Sequence, residues 1–131
     1  MKISQKGLEL IKKFEGCRLK AYQDSVGVWT IGYGTTNADK TITGTNIVSG
    51  LQISQKIADE WLRQSVDKKY GPKVEKYNAA YGWNQNEFDA LVSFAYNIGS
   101  IDQLTANGTR SRSMIAEKII QYNNCLLYTS D

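Results

Sequence analysis

Apolar residues set the first element. Leu8, Ile11 and Phe14, with Leu10 beside them, recur at the spacing of one helix face. This predicts a helix from about Ser4 to Glu15, capped by Ser4. Ile3 and Leu8 have hydrophobic-staple spacing, and Gly16 is placed to stop the helix. The period then changes from helical to alternating. Leu19 to Gln23 reads as a strand, Asp24-Ser25-Val26-Gly27 as a turn, and Val28 to Tyr33 as a second strand. Trp29, Ile31 and Tyr33 share one face; Val28, Thr30 and Gly32 share the other. The β-branched run Thr41 to Ile47 is expected to add a third short strand.

Helical spacing returns after Ser54, a second candidate cap, with Ile57, Ala58, Trp61, Leu62 and Val66. Gly71-Pro72 is expected to end that helix and start another, because Pro suits a first helical turn. Asn84 and Glu87 have capping-box spacing ahead of Phe88, Leu91, Val92 and Ala95, with an end near Asn97-Ile98-Gly99. Ser100 to Thr109 reads as a loop. Ser111 to Asn123 reads as a last helix carrying Met114, Ile115, Ile119 and Tyr122. The class is α+β: mostly helical, with a small antiparallel hairpin or sheet near the front. The expectation is a single domain over 1–131.

Composition narrows the chemistry. With 41% apolar residues, eight Tyr and three Trp, the 131-residue chain can bury a core without disulfides. The net charge of +3 is mild and scattered, so nucleic-acid binding is not expected. The chain has no histidine, which excludes Ser-His-Asp, Cys-His and H-E-x-x-H chemistry. Acid–base work must fall to carboxylates, Tyr, Lys or Cys. Cys17 and Cys125 are far apart and read as free thiols in a reducing compartment, with a disulfide as the alternative if the protein works outside the cell. No signal peptide or membrane span is visible, so cytoplasmic synthesis and no stable membrane insertion are expected.

Six Glu and seven Asp are available. Glu60, Asp67, Glu75 and Glu117 sit among basic residues on helices and read as solvated, and Glu87 as a cap. Glu15 differs. It closes the first helix, where a negative charge opposes the helix dipole, beside apolar Phe14. Both effects favour a raised pKa, as a general acid needs, although Arg18 opposes them. On position alone, the favoured readings are a surface helix end for Glu15, a turn former for Asp24 and an ordinary strand residue for Thr30. Together they have the spacing E-x8-D-x5-T within a helix–turn–hairpin. A hairpin folded beside a helix end can bring two carboxylates to opposite sides of a sugar.

The stretch GLELIKKFEGCRLKAYQDSVGVWTIGYGTT resembles the catalytic stretch of phage-type lysozymes. The shared pattern is a helix ending in E-G, then R-L-x-A-Y-x-D, then G-x-W-T-I-G-Y-G. NEFDALVSFAYNIGS resembles the long central helix of that family and its closing turn. The resemblance implies Glu15 as general acid, Asp24 as second carboxylate and Thr30 as its partner in holding the attacking water. It implies Gly32 and Gly34 as small residues that admit substrate, with Tyr96 and Asn97 on a facing turn. Trp29, Trp61 and Trp83 read as packing residues.

The implied activity is hydrolysis of the β-1,4 bond between N-acetylmuramic acid and N-acetylglucosamine, by inversion, without metal or organic cofactor. The implied partner is the peptidoglycan glycan strand, met by a monomer that waits in the host cytoplasm for a separate holin-type protein. The alternatives are a non-catalytic or impaired wall-binding module and a lytic transglycosylase, which needs no second carboxylate. Relatives usually continue with G-K-x-x-x-G-L-x-x-R-R-x-x-E, whereas Asn124 here precedes CLLYTSD. The C-terminal segment is thus read as missing or replaced after about residue 124. The stripe Ile115, Ile119 and Tyr122 is then expected to be partly exposed.

Overall fold

The structure is a computed structural model, and it describes residues 1–122. It forms two compact units, Met1–Ile11 with the chain from Val66 onward, and Lys12–Ser65. Helix α1, Gln5–Glu15, contributes its first turns to one unit and its last turn to the other.

The Lys12–Ser65 unit contains a three-stranded antiparallel sheet in the order β1-β2-β3: Arg18–Gln23, Trp29–Gly32 and Thr35–Thr36. The expected turn joins the first two strands. Asp24 donates its main-chain N–H to the Val28 carbonyl at 2.9 Å, and Gly27 donates to the Asp24 carbonyl at 3.0 Å. The pairs Tyr22–Thr30 and Gln23–Trp29 are in register, and the register shifts between Arg18 and Tyr22. Ala21, Ile31 and Ile47 form the core, with Trp29, Leu51, Ile53 and Trp61 packed against it. The core roles expected of Trp29 and Trp61 hold.

The third strand is not where the β-branched run predicts it. Thr35–Thr36 pairs with Thr30 and Ile31, and Lys40–Thr43 is the short helix α2. Local capping overrides β propensity here. Thr36 and Asp39 form a capping box around a 3-10 turn, and Gly44 closes α2 at φ 68°. Asn37 then fixes Ile47, accepting from its N–H at 2.7 Å and donating to its carbonyl at 3.1 Å. A later segment flanks β1 instead: Ala21 donates to the Leu51 carbonyl and Ile53 to the Leu19 carbonyl, both at 2.9 Å. Helix α3, Gln55–Ser65, follows with Ser54 as its cap, the Ile57 N–H donating to Ser54 Oγ at 3.1 Å. Its buried residues include Ala58 and Leu62, while Ile57 on the expected stripe is exposed.

In the other unit, helical backbone does not break at Gly71-Pro72. A π-type segment, Val66–Tyr70, leads into α4, Gly71–Glu75, with Pro72 in its first turn as expected. Helix α5, Asn78–Tyr81, ends at left-handed Gly82. Helix α6, Gln85–Ile98, is the central element, with both halves of the Asn84–Glu87 capping box formed. Phe88, Leu91, Val92 and Ala95 are fully buried on it. Trp83 is buried too, stacked on Tyr81 with ring centroids 4.6 Å apart.

Helix α1 docks on α6 through Ser4. Asp89, fully buried, accepts from the Ser4 N–H at 2.9 Å, from the Ser4 hydroxyl and from Gln85 Nε2 at 2.8 Å. Ser4 Oγ in turn accepts from the Gly7 N–H at 3.1 Å, completing the predicted cap. Leu8 and Ile11 are buried, but Phe14 at the end of the stripe is 47% exposed. Helix α7, Arg112–Tyr122, corrects another expectation. Ile115 and Ile119 are fully buried; among the described side chains of this helix, Met114 and Ile120 are the large exposed apolar ones. The i, i+4 pair turns inward together, so the expected exposure of this stripe does not occur at either residue. The Tyr122 side chain, Cys125 and the tail after Asn124 lie outside the described residues.

Candidate active site

Five of the seven residues singled out by sequence lie in the Lys12–Ser65 unit: Glu15, Asp24, Thr30, Gly32 and Gly34. Tyr96 and Asn97 lie in the other unit, in the last turn of α6.

Glu15 is the last residue of α1 and is half-buried. Burial pushes its carboxyl above the ordinary value of 4.5, because the charged form loses hydration. The nearest constraint is Gly34, in the turn between β2 and β3. A Cβ on Gly34 would stand 3.2 Å from Glu15 Oε2, and the backbone there is left-handed at φ 84°. Glycine is thus favoured by the backbone conformation, and a side chain here would also crowd the Glu15 carboxyl oxygen.

Asp24 is exposed at the start of the hairpin turn. Its Oδ1 accepts from the Val26 and Val28 N–H groups, each at 2.9 Å. Both bonds end on one oxygen, which fixes the carboxylate plane and leaves Oδ2 to outside partners. Thr30 is buried, and its hydroxyl donates to the Val28 carbonyl at 2.9 Å. With its proton committed, Thr30 Oγ1 can only accept from a further group. Gly32 is buried and left-handed at φ 64°. A Cβ there would meet Ala58 and Ile53 at 3.6–3.8 Å, so this glycine faces α3. Tyr96 packs against Tyr70, ring centroids 5.1 Å apart, and Asn97 is exposed.

A cluster that sequence reading missed sits beside Glu15's turn. Asp59 Oδ1 on α3 accepts from Tyr33 Oη and Gln55 Nε2, each at 2.9 Å, and Lys12 Nζ on α1 stands 3.5 Å away. Gln55 Nε2 also donates to Tyr33 Oη at 2.9 Å. Burial first, then the Asp59 hydrogen bond and the nearby Cys17 and Asp59 charges, push the Tyr33 phenol well above its ordinary range, against an opposing bond from Gln55. Burial of Asp59 acts upward, but Gln55, Tyr33 and Lys12 together hold its carboxyl below the ordinary range. Only the (i, i+4) spacing of Gln55 and Asp59 was visible in sequence.

Among the described residues, no cluster of three or more acidic or thiol groups is placed to hold a metal, and no helix is long and apolar enough to cross a membrane.

Comparison with known proteins gives the relationship. The phage lysozyme family model matches residues 12–125. An endolysin of Lactococcus phage c2 is 40% identical over 126 residues, 95% of this chain and 51% of that protein. The chain thus spans about half the length of the curated relatives it matches most extensively. Among solved structures, the muramidase domain of SpmX from Asticaccaulis excentricus is 30% identical, with a TM-score of 0.70 over 99% of each chain. A P22 lysozyme mutant is 31% identical, with a TM-score of 0.63 over 89% of this chain and 80% of that one. On the match to residues 12–125, the chain belongs to the phage lysozyme family.

Proposed function

We propose that the chain is one lysozyme-like domain that hydrolyses the β-1,4 bond between N-acetylmuramic acid and N-acetylglucosamine in bacterial peptidoglycan. Family membership and the endolysin and muramidase relatives support the reaction class. The observation that carries the assignment of roles is the state of Glu15: half-buried, raised in pKa and set against a left-handed glycine where an added Cβ would stand 3.2 Å from its carboxyl oxygen. A carboxyl that holds its proton more tightly than an ordinary carboxylic acid suits protonation of a glycosidic oxygen.

In this reading Glu15 gives its proton to the leaving sugar oxygen as the glycosidic bond breaks. A water attacks the anomeric carbon from the other face. One of its hydrogens points to Asp24 Oδ2, which takes the proton; the other points to Thr30 Oγ1. Gly34 keeps the ground beside Glu15 open, and Gly32 is the second small residue that lets substrate approach. Tyr96 and Asn97 supply contacts to the glycan. The enzyme acts on wall glycan as a monomer, after release from the host cytoplasm through a separate holin-type protein.

The test is product chemistry on purified peptidoglycan. Hydrolysis gives new reducing ends, and Glu15→Gln should lower their release at least ~100-fold with the fold intact. Anhydro-sugar products would mean a transglycosylase. Binding without products would mean a wall-binding module.

A further inference from the structure

We propose that Asp59 is a positioning residue for Glu15, acting by clamping the last turn of α1 to the β2–β3 turn. The proposal rests on the glycosidase reading for its catalytic consequence. Its geometry lies wholly within the Lys12–Ser65 unit.

Two short stretches of chain meet at the Glu15 carboxyl. One is the last turn of α1, where Lys12 precedes Glu15 by three residues and shares its side of the helix. The other is Tyr33-Gly34, whose glycine lies against Glu15 Oε2. Neither stretch is held to the other by a strand ladder. Asp59 Oδ1 supplies the link, receiving Lys12 Nζ from the first and Tyr33 Oη from the second. Gln55 donates to both Tyr33 and Asp59 and closes the arrangement. Lys12 Nζ also lies 5.9 Å from the centre of the Tyr33 ring. Tyr33 is 5% exposed, so its ring is fixed by packing while its hydroxyl reaches Asp59. Removing the Asp59 charge removes this link between the two stretches and loosens the approach of Gly34 to the carboxyl.

Charge gives the clamp a second effect. A lysine one turn before Glu15 would favour the ionised carboxylate and spoil a general acid. Asp59 neutralises that lysine. Other charged or titratable groups on these elements, among the described residues, are Lys13 on α1, Cys17, Arg18 on β1 and Tyr33 in the turn. Arg18 is turned over the Tyr22 ring, its guanidinium carbon 4.5 Å from the centre. Loss of Asp59 removes its negative charge from beside Lys12 and moves the alkaline limb of the pH–rate profile down. Loss of Lys12 moves it up. A role in folding alone would give no such opposite shifts.

The experiment compares the full chain with Asp59→Asn, Lys12→Met, the double variant and Asp59→Glu. Reducing-end release from peptidoglycan is followed across pH. Asp59→Asn should lower kcat ~10- to 100-fold and shift the alkaline limb down by about half a pH unit. Lys12→Met should shift that limb up, the double variant should return near the parent position, and Asp59→Glu should recover part of kcat. Carbon-detected NMR titration of the Glu15 carboxyl is run on the same proteins and needs no turnover. If the parent chain releases no reducing ends, the glycosidase reading fails, while the titration still decides whether Asp59 tunes Glu15. Unchanged kcat and an unmoved Glu15 titration in Asp59→Asn would overturn the proposal. So would Lys12→Met and Asp59→Asn shifting the limb in the same direction.

Discussion

The Asp24 main-chain N–H and the Thr30 hydroxyl converge on one acceptor, the Val28 carbonyl, each at 2.9 Å. Asp24 Oδ1 meanwhile accepts the Val28 N–H. One residue, Val28, therefore sets the spacing between the two side chains proposed to hold the nucleophilic water. The consequence is testable at Thr30. Thr30→Val preserves shape but removes the acceptor, and the Val28 carbonyl keeps its bond from Asp24. Stability should fall by only about 0.5–1.5 kcal/mol. Reducing-end release should drop ~100-fold, and Thr30→Ser should restore most of it. A Thr30→Val protein as active as its parent would show that Thr30 holds no water.

Stereochemistry gives a second check. If Asp24 and Thr30 hold the attacking water, reaction on the β-linked glycan proceeds by direct displacement, and the first-formed sugar is the α anomer. NMR of the product within the first minutes distinguishes it from the β anomer. A β product would assign Asp24 as a nucleophile forming a covalent intermediate.

The features legible in the sequence are those made by neighbours in the chain. Ser4, Ser54 and Asn84 cap their helices through bonds to residues three positions on. Asp24 builds its own turn. What was not legible depends on distant partners or on competition between local rules. Thr41 to Ile47 has strand composition, but the Thr36–Asp39 box and Gly44 commit its first part to a helix. Gly71-Pro72 looked like a break, yet a π-type segment carries helical backbone up to it. Of the candidate site, Glu15, Asp24 and Thr30 stand out through the family pattern of the sequence around them, since each alone also fits a helix end, a turn or a strand. Asp59 does not, because Tyr33 and Lys12 lie far from it in sequence.

Gly7 sets two physical rules against each other. In a helix interior, Gly→Ala gains up to about 1 kcal/mol from propensity. Here an added Cβ would stand 2.6 Å from Ile3 Cγ1 and 2.7 Å from Asp89 Cγ. Asp89 cannot easily yield, since it is buried and holds the Ser4 cap. Packing should win, and Gly7→Ala should destabilise the protein by about 1–3 kcal/mol in denaturant melts. A stabilised Gly7→Ala protein would mean that α1 sits further from Asp89 than this geometry states.

Glu15 links activity to stability with a defined sign. Folding raises its pKa, so the folded chain holds this proton more tightly than the unfolded chain does. The contribution to stability is complete below the ordinary value of 4.5, where both states are protonated. It is lost as pH rises through the raised folded value, because ionising a half-buried carboxyl then opposes folding. Glu15→Gln removes the ionisation altogether. Its melting temperature should therefore exceed the parent's at pH 7, and the gap should shrink towards zero as the pH falls below 4.5. The same substitution should abolish reducing-end release at every pH, so the stabilised protein is the inactive one. A melting gap that is absent at neutral pH, or that widens in acid, would show that Glu15 is not held in the protonation state a general acid requires.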